Sequence, residues 1–541
     1  MKIMSSISYH IRITFSFFKQ KSTKFFIVSI LLALFSFNAS AATYNVTRFD
    51  DPSVTTSCTV SNCSLRQAVI ASILNPGSTI NLPPGTYTLS IPGLDYGGAD
   101  EKVGDLDLKV TTTINGSGVD STIIQAGATS FSGSFRLFDN ISLENVTISN
   151  LTIRNGQDLE ASSGGCIRNL GVMTLDTVKI TGCKSPISGG GIGTYHQLTI
   201  INSTITNNWT HHPTGSIANG GGIINGPGPT LGTNATVNII QSIISNNISS
   251  SEGDLDLKSF GGGISNNATM TVSKSTVTEN TALNAGGIIN GGTGKMTITN
   301  STISNNKAKF DTGGIDNENQ MSILNSTISG NIAGYNCSGA ECDRAFVGGI
   351  INWNDGTLTI DNTTISGNQS LKGGGGVLNG KGIATISSST IVRNTGELGA
   401  GIAGSDPLTI KNSIVAENIP GPLGGGLSGK IVSQGYNLFQ DTNKAYLSGD
   451  LTGNLVGIDP GIEDLLLNEG YTATHALSLG SPAKNTANPG GCLDSNGQLL
   501  QTDQRGYPRT QFGRCDIGAF EVDKSPAIVP QVLHLLLLKN A

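Results

Sequence analysis

The sequence predicts an all-β fold, a right-handed parallel β-helix with three short strands per coil of about 25 residues, a small helical N-terminal cap and an irregular C-terminal cap. Three observations carry this. First, 72 of 541 residues are glycine, 13% are charged and 5% aromatic, which excludes coiled coils and helical bundles because glycine is a poor helix former. No Gly-X-Y period exists, so collagen is excluded too, while 37% hydrophobic residues still supply a core. Second, one unit recurs through the middle of the chain: G-G-G-I, a polar stretch, a short T-I run, then N-S-T-I-S-x-N. Third, each unit holds three β-type runs too short for helical periodicity or a crossover helix.

Copies begin at Gly189, Gly261, Gly286, Gly313, Gly348 and Gly374, and their last strands centre on Ile205, Val277, Ile303, Ile328, Ile365 and Ile391. The step from 328 to 365 is longer and accommodates an inserted loop with Cys337 and Cys342. Stacked coils would bury the isoleucines in columns and pair each strand with its equivalent ~4.8 Å away. Asparagines after the strands (Asn300, Asn305, Asn325, Asn331, Asn362, Asn368, Asn394, Asn418) suit left-handed backbone and side-chain ladders between coils. The many Asn-x-Ser/Thr triplets are a by-product of this repeat.

The N-terminus is laid out as a secretion signal: Lys19, Lys21 and Lys24, an apolar run from Phe25 to Phe37, then Ala39-Ser40-Ala41. That run is shorter than the ~20 residues a membrane span needs. Residues 1–41 hold five basic and no acidic residues, so 32 basic residues become 27 against 38 acidic, net −11. An acidic chain with scattered Lys and Arg has no affinity for phosphate backbones, which excludes nucleic acid. The expected organisation is a signal peptide (1–41), an N-terminal cap and first coil (42–95), β-helix repeats (96–440), a C-terminal cap (441–523) and a tail (524–541).

Eight cysteines follow the signal in four local couples: Cys58 with Cys63, Cys166 with Cys183, Cys337 with Cys342, and Cys492 with Cys515. Local pairing is the simplest disulfide connectivity in an exported chain, though spacing alone leaves others open. The couples lie too far apart in sequence to read as one zinc site.

Cys63-Ser64-Leu65-Arg66-Gln67-Ala68 resembles the N-terminal CSLREA domain of bacterial secreted proteins, with Gln67 in place of the glutamate. Ser64 to Leu74 reads as an amphipathic helix with Ser64 as N-cap and Leu65, Ala68, Val69 and Leu74 buried, a lid over the first coil. After the repeats, Ser433-Gln434-Gly435-Tyr436-Asn437-Leu438, Thr474-His475-Ala476-Leu477, Asp503-Gln504-Arg505-Gly506-Tyr507-Pro508-Arg509 and Cys515-Asp516-Ile517-Gly518-Ala519-Phe520-Glu521 are similar in order to the choice-of-anchor Q domain. The resemblance implies a β-helix protein exported to the bacterial surface or the medium. It makes Arg66, Asp503, Arg505, Asp516 and Glu521 family landmarks that hold caps together. The apolar piece from Val532 to Leu538 is too short to span a bilayer, so no stable membrane insertion of the mature chain is expected.

Candidate chemistry is sparse. Gly104-Asp105-Leu106-Asp107-Leu108-Lys109 repeats as Gly253-Asp254-Leu255-Asp256-Leu257-Lys258, and Asp residues two apart on a strand share a face, where they suit calcium or a sugar hydroxyl. No other cofactor is called for. His211 and His212 beside Trp209 read as a polar insertion, and Asp311 and Asp316 as turn formers around a glycine pair. Arg505 with Asp516 reads as a partly buried pair. No nucleophile elbow, phosphate loop or HExxH pattern occurs. The expected function is an adhesin-like or glycan-binding protein without turnover, its partner an extracellular glycan or surface protein met by a regular face of Asn, Ser and Thr. The alternative is a polysaccharide lyase or glycoside hydrolase, which requires acidic and basic side chains gathered in one cleft.

Overall fold

A computed structural model describes residues 41–53, 57–93, 102–133, 135–159, 162–212, 217–227, 235–251, 259–422, 424–509 and 513–522. The signal segment, the second Asp-Leu-Asp copy with Asp254 and Asp256, and the tail lie outside them. The described chain is a parallel β-helix: 37 strands form one continuous sheet wound into three faces, and nine further short strands form a ribbon at one corner. This ribbon adds a fourth short segment to the coil anticipated from the repeat.

One coil shows how the sequence produces the shape. Ile288–Asn290 lies on face A, Lys295–Thr299 on face B, Thr302–Ser304 on face C and Lys307–Ala308 in the ribbon. Each pairs in parallel register with its equivalent one coil on: Ile288 with Ile315, Ile298 with Ile323, Ile303 with Ile328, Ala308 with Ala333. Ile288, Met296, Ile298 and Ile303 point inward and are buried in one core that runs the length of the coils. Burying such side chains contributes roughly 1.5–3 kcal/mol each.

The turn asparagines divide into two kinds that the repeat alone does not separate. Asn300, Asn305, Asn325 and Asn362 take left-handed backbone, with φ of 48°, 55°, 51° and 48°, and bend the chain at coil corners. The residue after such a corner points inward: Asn306 follows Asn305, and Ser301 follows Asn300. Asn208, Asn247, Asn280, Asn306, Asn331, Asn368, Asn394 and Asn418 form a continuous ladder, buried up to its half-buried last member, each amide Nδ2 donating to the next Oδ1 at 2.9–3.0 Å. Asn306 Nδ2 also donates to the Val277 carbonyl, and its Oδ1 also accepts from the Asn280 backbone N–H. Such full satisfaction lets an amide column sit in an apolar core. Beside the ladder the backbones of adjacent coils touch: a Cβ at Gly190 would lie 2.3 Å from the Gly221 carbonyl oxygen, so the recurring glycines are sterically required there.

The N-terminal helix spans Leu65–Ile73 and is capped as expected by Ser64. Gln67 completes the capping box, its side chain accepting from the Ser64 N–H at 2.8 Å, a role glutamine and glutamate fill alike. Leu65, Ala68 and Val69 join the core, whereas Leu74, expected to be buried, is the C-cap and is exposed, because the helix ends before its face turns inward again. Coil pairing begins before the helix, at Thr43–Asn45, and continues past residue 440 to Leu455–Val456. All four anticipated local disulfides are present.

The C-terminal region does more than close an end. From about residue 460 it returns along the outside of face C: Thr364 Oγ1 donates to Gln504 Oε1 (2.6 Å), Ser366 Oγ bonds His475 Nε2 (2.8 Å), and the Ala519 N–H donates to Thr390 Oγ1 (3.0 Å). A second core joins Val392, Ile414 and Leu438 to Leu477, Ala483, Cys492, Ile517 and Phe520. The returning segment reaches face C from about Thr327 onward, whereas Lys179, on face C of an earlier coil, is exposed. Replacing the central ladder residue, Asn306→Ala, orphans buried groups on both adjoining coils and is expected to cost about 2–4 kcal/mol, read as a lowered denaturation midpoint; an unchanged midpoint refutes the ladder's role.

Candidate active groove on face A

The outward row of face B is the regular polar surface anticipated from the repeat, with Thr199, Asn238, Thr271, Thr297 and Ser322 in register. Face A differs. Its outward row, which includes Asp107, Asp139, Arg168, Ile224, Ser265, Ile289, Asp316 and Ile351, is buried although the side chains point away from the core. The glycine turns before the strands close over this row: a Cβ at Gly189 would lie 2.7 Å from Ile224 Cγ2 and one at Gly261 3.1 Å from Ile289 Cγ2. The charges that looked dispersed in sequence collect here, in two stations.

The first station, at the N-terminal coils, is electrically closed. Arg66, fully buried, donates to both Asp51 carboxylate oxygens (2.8 and 3.0 Å) and to the Gly104 and Asp105 carbonyls, tying the cap helix to the first strand of face A. Arg136 lies 2.8 Å from Asp105 and 3.4 Å from Asp158. Arg168 pairs with Asp139 one coil away, and Lys109 lies 3.9 Å from Asp107. The Asp105 and Asp107 carboxylates, expected as calcium or sugar ligands, thus face side-chain cations. Among the described residues no group of three acidic, His or Cys side chains is arranged to hold a metal ion. Charges in stacked coils sit about one strand spacing apart, so opposite signs are the stable arrangement.

The second station spans two successive central coils. On the first, Asp311 stands on one side of face A, Asp316 on its floor and Glu318 on the other side. Asp316 is the middle residue of strand Ile315–Asn317, which corrects its reading as a turn former: Ile315 and Asn317 point inward and turn Asp316 outward. Its register neighbours are Ile289 and Ile351. It is 7% exposed, and its Oδ1 has no hydrogen-bond partner. Burial in this setting, then the nearby Glu318 and Asp311, push the Asp316 carboxyl well above its ordinary range. Burial also raises Glu318, against a hydrogen bond from the Asn354 amide at 2.9 Å, and raises Asp311, against the pull of Arg344.

On the next coil the same three positions hold Phe346, Ile351 and Trp353. The Phe346 N–H donates to the Asp311 carbonyl (3.1 Å) and the Trp353 N–H to the Asn317 carbonyl (2.8 Å), which fixes this correspondence. Trp353 is 43% exposed and Phe346 40%. The Trp353 ring lies over Gly380, where a Cβ would meet it at 2.3 Å. The insertion closed by Cys337–Cys342 carries a short 3-10 turn, Gly339–Arg344, that places Arg344 against the Phe310 ring and near Asp311.

Other sequence candidates fall elsewhere. His211 and His212 belong to ribbon strand Trp209–His212 and not to a loop; His211 stacks on Trp209 and bonds Ser250. Arg505 pairs with Asp503 at 2.8 Å, not with Asp516, and packs on the Phe520 ring. Asp516 instead accepts from the Asn485 and Val522 N–H groups. Arg509, fully buried, lies 3.5 Å from Glu521 and donates to Asn362 Oδ1 at the corner between faces B and C. These residues bind the returning segment together and to the coils, and lie off face A.

No family model and no curated protein matches the chain. Among solved structures it is similar to the A-module of mannuronan C-5 epimerase AlgE4 from Azotobacter vinelandii (TM-score 0.39, 14% identity, 77% of this chain and 98% of that one). It is also similar to pectate lyase Pel9A (0.33, 16%, 90% and 97%) and to a PL6 alginate lyase in complex with a trisaccharide (0.29, 12%, 87% and 95%). Likeness at this level defines neither a family nor an activity.

Several buried carboxyls bind their protons more tightly in the folded chain. Burial pushes Asp361 up to about 6 against hydrogen bonds from Ser495; burial and Asp516 push Glu521 up to about 8 against Arg509; Asp316 is raised as well. Their contribution is full below the ordinary carboxyl range and is lost as pH rises through the folded values. The thermal midpoint is therefore expected to fall from about pH 5 to pH 8; calorimetry showing a rise over that interval contradicts this.

Proposed function

We propose that this chain is an exported protein that binds an extended extracellular glycan along face A, with Trp353 and Phe346 as its hydrophobic contacts. The carrying observation is the pair of exposed rings on either side of one coil of a recessed face, directly beside a coil of polar carboxyl groups. Aromatic faces cover the apolar side of sugar rings while carboxylates accept from their hydroxyls. Four disulfides with no free cysteine support an oxidising compartment. The described residues contain no helix long and apolar enough to cross a membrane. The CSLREA and choice-of-anchor resemblances support display on or release from a bacterial surface, and adhesion to a surface carbohydrate is the finer form of this reading.

Titration of the mature chain against a panel of neutral and acidic polysaccharides, by affinity electrophoresis or calorimetry, tests the proposal. A neutral glycan is expected to bind, and Trp353→Ala is expected to weaken it at least tenfold, about 1.4 kcal/mol, with an unchanged melting curve. Equal affinity in the variant, or no glycan bound, overturns it.

A further inference from the structure

We infer that the Asp311, Asp316 and Glu318 coil is a hydrolytic centre that cleaves a glycosidic bond in a neutral polysaccharide, with Asp316 as the proton donor. The inference rests on the glycan-binding reading above and adds turnover to it. Three features separate this cluster from an ordinary solvated acidic patch. The repeat places Ile289 and Ile351 at the register positions on either side of Asp316, so a carboxyl there sacrifices stability that an apolar residue would supply. Its Oδ1 is buried without a partner while the side chain points outward into the recessed face. The first station shows how this fold neutralises buried acids, with arginine partners for Asp51, Asp105 and Asp139; Asp316 has no such partner.

The environments divide the roles. Asp316 sits between two isoleucines, which favours its neutral, proton-bearing form. Glu318 flanks Trp353, beside a sugar ring stacked there; it is only half-buried and accepts a hydrogen bond from Asn354 that opposes the effect of burial, so it is raised less far than Asp316 and is the group of the two that ionises first. In the step, the Asp316 O–H gives its proton to the bridging glycosidic oxygen. The bond from the anomeric carbon to that oxygen breaks, and its electron pair stays on the departing hydroxyl. A water oxygen bonds to the anomeric carbon and gives its proton to the Glu318 carboxylate; proton exchange with solvent restores both groups. One water is consumed and nothing is oxidised. Asp311, with Arg344 beside it, contacts sugar hydroxyls on the opposite side. Substrate charge follows from the same residues: with Asp316 in its proton-bearing form, Asp311 and Glu318 stand against Arg344, on a chain of net charge −6 before signal removal, an arrangement with no surplus of cations to hold a polyuronate, so the substrate is uncharged.

The test is to incubate the disulfide-intact mature chain with β-glucan, mannan, xylan, galactan, alginate and polygalacturonate, following new reducing ends and the ultraviolet absorbance of unsaturated sugars. Reducing ends from at least one neutral polymer, with no absorbance gain, are expected. Asp316→Asn is expected to lower that rate at least a thousandfold while still binding the polymer and melting no lower than the parent. Glu318→Gln is expected to lose a comparable factor. A bound neutral glycan that is never cut overturns the hydrolytic centre and leaves the binding reading standing; absence of all binding overturns both. Unsaturated products, or an Asp316→Asn variant with full activity, also overturn it.

Discussion

Every coil strand lies about one sheet spacing from its own equivalent, and that register is the constraint on which the rest depends. A residue repeated from coil to coil meets itself, so only side chains that tolerate their own company can recur. Isoleucine does so by packing, asparagine by donating to and accepting from its copy, and glycine by leaving room for the neighbouring backbone. A charged residue does not. The low charge of the chain and its buried amide columns are two consequences of one geometry.

Function is therefore sought where the repeat is broken. At the N-terminal coils the breaks alternate in sign, Asp105 with Arg136 and Asp139 with Arg168, and the result is a closed network that also secures the cap helix through Arg66. At the central coils the break is a set of acids above and below which the column returns to isoleucine. The adjoining insertion supplies Arg344 and leads into Phe346, and its length is what interrupts the regular 25-residue step. The C-terminal segment lies against face C of the later coils, from about Thr327 onward.

Much of the fold was legible because a stacked structure writes its register into the sequence as a period. The coil length, the inward isoleucines, the local disulfides and the capping role of Ser64 follow from spacing between near neighbours. The site was not legible for the same reason: Asp316 and Asp311 flank a glycine pair, which locally reads as a turn, and only the strand pairing shows that one of them lies on a floor between two isoleucines. Density of charge in the sequence points Arg505 to Asp516, whereas Asp503, two residues away, takes it through a turn that also bonds the Tyr507 N–H. Helical periodicity places Leu74 on the buried face but does not say where the helix stops.

By itself, then, the sequence determined the scaffold: a parallel β-helix with apolar columns and amide ladders, since each of those features is a local pattern repeated until it can only stack. Tertiary structure alone decided which outward row is recessed, where the C-terminal segment returns, and which acids lack a cation. Those depend on side chains brought together from different coils and from segments more than a hundred residues apart, as with Arg509 and Asn362. Burial and the absence of a partner, which give a carboxyl its chemistry, are properties of that assembled surface.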